Sequence, residues 1–140
     1  MLDSTAKNKF ILLDRDGVLN TDRIDYVKTS QEMQVIESSC VAIKKLNAAG
    51  YKVLVITNQG CIAKGIITED VLTEIHSTLL KRVKKNGGEI SKIYYCPHHD
   101  QNQCDCRKPK PGLIEQAQRD WGFDPKQTWM VGDSNRDVLA

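Results

Sequence analysis

Two carboxylates stand two residues apart in Asp14-Arg15-Asp16-Gly17, directly after a short apolar run. Carboxylates at that spacing on a turn can share one hard cation and still divide the work of nucleophile and acid/base. Gly17 lets the chain bend sharply there. Thr57-Asn58-Gln59 supplies a hydroxyl and main-chain N–H groups able to hold phosphate oxygens. In Arg107-Lys108-Pro109-Lys110-Pro111-Gly112 the prolines stiffen the segment. A lysine held at a defined place in it can offset charge on a transferring phosphoryl group. Gly132-Asp133 adds a third carboxylate, which can complete an octahedral oxygen site for Mg²⁺. Asp137 lies one turn further on. Alone, each motif also reads as a solvated turn or a basic surface loop. In this order along one chain they are far more specific.

A second constellation has different chemistry. Cys96-Pro97-His98 is followed after five residues by Cys104-Asp105-Cys106. Four soft or borderline ligands in a loop suit tetrahedral Zn²⁺, and the alternative is a loop of free thiols. His99 could replace His98 on spacing alone. A closed four-ligand site has no open position, so such a metal would be structural and would pin the loop leading into Arg107 and Lys108.

These residues need elements to position them. Phe10 to Leu13, Val53 to Ile56, Ile90 to Tyr95 and Trp129 to Val131 read as buried strands. Between them, Val41, Ile43, Leu46 and Ala49 recur at helical spacing up to Gly50. Val71, Leu72, Ile75, Leu79 and Val83 form a second stripe, opened near Thr68 and closed by Gly87-Gly88, and Leu113, Ile114 and Ala117 a third. Cys40, Trp121 and Trp129 are expected in the core, and His76 to be structural or solvated. Strand–helix alternation predicts the α/β class: a Rossmann-like three-layer α/β/α domain with a mostly parallel sheet. Asp14, Thr57 and Asp133 then fall just past strand carboxyl ends, where open α/β sheets bind ligands. Asn20 to Glu37 is too short to fold as a cap domain. Residues 1–140 read as a single domain, truncated at its C-terminus because a helix begun at Ser134 would be cut at Ala140.

Composition narrows the function classes. Of 140 residues, 40% are hydrophobic and 27% charged, as in soluble globular proteins. A formal net charge of +2 without a basic, aromatic-laced stripe argues against nucleic acid. No apolar run approaches the roughly 20 residues that span a bilayer. An odd total of five cysteines and a polar start to the chain point to thiols in a reducing cytoplasm.

The ordered motifs resemble the haloacid dehalogenase-like phosphohydrolase superfamily from Phe10 onward. The resemblance implies that Asp14 attacks phosphorus and that Asp16 protonates the leaving oxygen and then activates water. Thr57 and Lys108 would stabilise the phosphoryl group. Mg²⁺ would sit on the Asp14 and Asp133 side chains and the Asp16 carbonyl. Cys-Pro-His followed by Cys-Asp-Cys-Arg-Lys-Pro-Lys-Pro-Gly looks like the D-glycero-D-manno-heptose 1,7-bisphosphate phosphatases, and Ile62-Ala63-Lys64-Gly65 is close to their Ile-Ala-Arg-Gly. By that resemblance Zn²⁺ is held by Cys96, His98, Cys104 and Cys106. The expected substrate contacts are Arg15, Asn20, Asp22, Tyr26, Asn58, Gln59, Lys64 and Arg107. The implied substrate is a small phosphorylated sugar in lipopolysaccharide precursor synthesis, and the expected state a monomer. Histidinol-phosphate phosphatases carry a similar loop and form the alternative, and an inactive zinc-stabilised binding module is the alternative of another class. Gly60-Cys61 and Ser134 depart from the usual Ser-Gly and Lys of the family.

Overall fold

The computed structural model describes residues 9–23, 25–98, 108 and 110–132. Its strands are β1 (Lys9–Leu13), β2 (Tyr51–Asn58), β3 (Ile90–Cys96) and β4 (Trp129–Val131), and its helices α1 (Glu37–Ala48), α2 (Glu69–Lys85) and α3 (Gly112–Trp121). The four strands form one parallel sheet in the order β3-β2-β1-β4. Strand order reverses beside β1, so the carboxyl end of β1 lies at the switch point where such sheets bind ligands.

Alternation along the strands builds two cores. Successive strand side chains point to opposite faces. Ile11, Leu13, Val53 and Val55 therefore pack on one face with Cys40 and Ile43 of α1 and Leu72, Ile75 and Leu79 of α2. Phe10, Leu12, Leu54 and Ile56 pack on the other with Leu113 and Ala117 of α3. Helices on both faces make the expected three layers and explain why the strands read as unbroken apolar runs.

Local signals set the helix ends. Thr68 caps α2 by accepting from the Val71 N–H at 3.2 Å. Glu69 and Asp70 open that helix and Arg82, Lys84 and Lys85 close it, complementing its dipole. α3 ends on Gly122 in the left-handed region, φ +74°.

Expectations for two of the strands differ from the structure. β2 continues through Thr57 and Asn58, so both belong to the strand rather than to the turn after it. Trp129 is 73% exposed. It lies on a three-residue strand that pairs with β1 alone among the described residues, so a full apolar core does not form around it. Trp121 does pack on the second core, 5.9 Å from the Phe10 ring. Between β1 and α1 the described residues contain one 3-10 turn, Ser30–Glu32. No described helix is long and apolar enough to cross a membrane.

Leu54 is fully buried at the centre of the sheet. Leu54→Ala should lower unfolding free energy by about 2–5 kcal/mol, read as a shifted urea midpoint with an unchanged slope.

Candidate active site

The buried polar side chains among the described residues are Asp14, Arg15, Asn20, Thr57, Gln59, His76 and Lys108. Hydrogen bonds link all seven into one network at the carboxyl edge of the sheet, with Asp16 at its centre. Buried polar groups are tolerated when satisfied in this way.

Asp14 follows Leu12 in the strand alternation and meets the α3 side of the sheet. Lys108 lies four residues before α3 and is 3% exposed. Its Nζ donates to Asp14 Oδ1 at 3.1 Å and to the Ile56 carbonyl at 2.9 Å. The lysine backbone is gripped as well. Asn58 Oδ1 accepts from the Lys108 N–H at 2.9 Å, and Asn58 Nδ2 donates to the Lys108 carbonyl at 3.2 Å. The Arg15 main-chain N–H donates to Asp14 Oδ1 at 2.8 Å.

The next residues turn toward α2. Gly17, at φ +85°, bends the chain so that its N–H donates to the Asn20 carbonyl at 2.8 Å. Asp16 Oδ1 accepts from Arg15 Nε at 3.0 Å, Arg15 Nη2 at 2.7 Å and Asn20 Nδ2 at 2.9 Å. Asp16 Oδ2 accepts from Gln59 Nε2 at 3.1 Å, and the same nitrogen donates to Thr57 Oγ1 at 2.9 Å. No described group donates to the Asp16 main-chain carbonyl. Asn20 Oδ1 is buried without a hydrogen-bond partner among the described residues. Turning that amide over would set its oxygen against the Asp16 carboxylate, so the orientation is fixed.

At the mouth, Lys64 Nζ donates to the Tyr26 hydroxyl at 2.6 Å and lies 5.0 Å from the ring centre. This contact joins the loop after β1 to the loop after β2. Tyr26 is held at φ +69°, a costly backbone region for a residue with a Cβ. Asp22 is exposed.

The structure thus brings Asp14, Asp16, Thr57 and Lys108 together with Asn20, Asn58 and Gln59, and Tyr26 with Lys64. Arg15 is buried at 1% exposure and its guanidinium is engaged inside the protein. Asp133, Cys104, Cys106, Arg107 and the alternative ligand His99 lie outside the described residues, as does Asp137. Cys96 Sγ and His98 Nδ1 are 3.4 Å apart. Among the described residues no cluster of three or more metal-ligating side chains occurs.

Sequence reasoning missed one member. His76 Nε2 lies 3.2 Å from Arg15 Nη1. The available signal was a polar residue one turn after Leu72 on the buried stripe of α2. Burial, and then the Arg15 charge, hold the imidazole well below its ordinary 6.5, at about 3.

The HAD-hydrolase-like family model matches residues 105–140. A D-glycero-beta-D-manno-heptose-1,7-bisphosphate 7-phosphatase of Neisseria meningitidis is 47% identical over 132 residues, 94% of this chain and 71% of the relative. The protein of the same name from Pseudomonas aeruginosa is 47% identical over 130 residues, 93% of this chain and 73% of that one. The chain belongs to the heptose-bisphosphate phosphatase family of HAD-like hydrolases. A crystal structure of the D,D-heptose 1,7-bisphosphate phosphatase from B. bronchiseptica, complexed with magnesium and phosphate, superposes with a TM-score of 0.90 at 37% identity. That likeness covers 94% of this chain and 73% of the other.

The buried imidazole gives this heptose-bisphosphate phosphatase relative a pH signature. Its folded value lies below its unfolded one, so between about pH 6.5 and 3 the unfolded chain binds more protons. The contribution is fully present above pH 6.5 and is lost as pH falls toward 3. The urea midpoint of the parent should fall more steeply than that of His76→Gln across this window, with parallel curves above it.

Proposed function

We propose that this protein hydrolyses the C7 phosphate of D-glycero-β-D-manno-heptose 1,7-bisphosphate through an aspartyl-phosphate on Asp14. The observation that carries this reading is the Lys108 ammonium on Asp14 Oδ1, with the anchored Asp16 carboxyl next along the chain. The ammonium lowers the repulsion between an anionic nucleophile and an anionic phosphate. An Asp14 oxygen attacks phosphorus, the bond from phosphorus to the sugar oxygen breaks, and Asp16 gives that oxygen its proton. Asp16 then takes a proton from water. The resulting hydroxide attacks phosphorus, releases inorganic phosphate and restores Asp14. Asp16 Oδ2, with one donor against three on Oδ1, is the oxygen suited to exchange the proton. The Thr57 hydroxyl is set by Gln59 to receive phosphate oxygens.

Hard oxygen donors fit Mg²⁺. The Asp14 carboxylate and the Asp16 carbonyl, which accepts from no described group, would hold it with Asp133. When bound it would offset phosphate charge as a Lewis acid. For the second metal, the 3.4 Å spacing of Cys96 Sγ and His98 Nδ1 supports two corners of a zinc tetrahedron. Ordinary Zn–S and Zn–N lengths put such atoms about 3.5 Å apart. Cys104 and Cys106 would complete that structural site and tension the segment entering Lys108. Arg15, Asn58 and Gln59 act by holding Asp16, Lys108 and Thr57. Selectivity for the sugar and its second phosphate falls to Asp22, Tyr26, Lys64 and Arg107 in an open site, while the buried Asn20 acts by holding Asp16. The thiols suit the cytoplasm.

Phosphate release from the heptose bisphosphate tests this reading. After strong chelation, activity should disappear, return partly with Mg²⁺ alone and fully with Mg²⁺ plus Zn²⁺. Faster release from histidinol phosphate than from the heptose ester would overturn the substrate assignment.

A further inference from the structure

We infer that His76 is a positioning residue for Asp16, acting through Arg15. The inference rests on the acid/base role proposed for Asp16. Three N–H groups of one guanidinium are committed. Arg15 Nε and Nη2 both reach Asp16 Oδ1, and Nη1 reaches His76 Nε2. Arginine only donates, so Nε2 must accept and the imidazole proton must sit on Nδ1. The low basicity of the buried ring keeps that lone pair available across the working pH range.

The contact sets a geometry that Asp16 alone would not choose. A free guanidinium prefers to grip both oxygens of a carboxylate with two parallel bonds. Here both donors converge on Oδ1, and Oδ2 is left to Gln59. Fixing Nη1 on α2 holds the planar fork in that turned position. The result is an Asp16 with one oxygen anchored and the other directed toward the Gln59 and Thr57 side of the site. His76 also lies near the Tyr95 ring, at 6.0 Å between centres. An apolar side chain would fill the same space at α2. It would strand a buried guanidinium N–H without an acceptor, a costly arrangement.

The test compares two esters. A sugar phosphate has a poor leaving group and needs a proton from Asp16. p-Nitrophenyl phosphate releases a stable phenolate and needs little acid help. kcat/KM covers the steps through loss of the leaving group, so it isolates that need. His76→Leu should lower kcat/KM on heptose 1,7-bisphosphate by about ten-fold, a fraction of the usual general-acid contribution. On p-nitrophenyl phosphate it should stay within about three-fold of the parent, since that ester bypasses the acid. His76→Gln, whose Oε1 takes the place of Nε2, should restore the heptose rate. His76→Asn carries the same amide but falls one methylene short, and should show the selective loss. The Gln and Asn pair decides the question whether or not the leucine variant folds. Equal behaviour of Gln and Asn on the heptose ester, or equal losses on both esters, overturns the inference while leaving the phosphatase intact. A parent that releases phosphate from neither ester overturns the proposed function and this inference together.

Discussion

The site depends on a single buried contact, the Lys108 ammonium against Asp14 at the end of the central strand. Burying two charges is expensive, and their attraction offsets the loss of water only when the geometry is good and the remaining donors are used. Those conditions are met. Lys108 Nζ also donates to Ile56, its main chain is gripped by Asn58, and Asp14 Oδ1 accepts from the Arg15 N–H. The contact joins residues 94 apart in sequence. It therefore requires the sheet to pair β1 with β2 in register and α3 to cover the far face. Much of the apolar core can be understood as the support for that meeting.

From Asp14 the chain divides its labour by direction. Asp14 faces the layer of α3 and Lys108. Arg15 and Asp16 turn to the layer of α2, where Arg15 is buried and His76 waits as an acceptor. The two carboxylates consequently have separate environments despite being two residues apart. One is paired with a fixed ammonium, the other is gripped through one oxygen by a braced guanidinium. Distinct environments are what permit two carboxylates to take distinct roles.

The strands and helices were legible because buried parallel strands leave unbroken apolar runs and the helical stripes end at glycines. The meeting of Asp14 and Thr57 followed from their placement at strand carboxyl ends, whereas Lys108, in a loop before α3, was placed there by the resemblance to the phosphohydrolase motifs. Side-chain partnerships were less legible. Asn58 looked like a phosphate-facing residue, yet its amide grips Lys108 fifty positions away, a pairing that no local spacing encodes. Arg15 on a turn resembles a surface cation, and its burial depends on α2 arriving over it. His76 was read as structural or solvated, and its partner Arg15 was hidden for the same reason. Trp129 was expected inside, but among the described residues β4 is a three-residue strand at the edge of the sheet and does not enclose it.

The central claim is that Asp14 forms the bond to phosphorus. Rapid acid quenching during turnover on the heptose bisphosphate, followed by peptide mass spectrometry, reads this directly. The account predicts a phosphoryl group on Asp14. Phosphate on a different side chain, or turnover with no phosphorylated protein at any quench time, would contradict it.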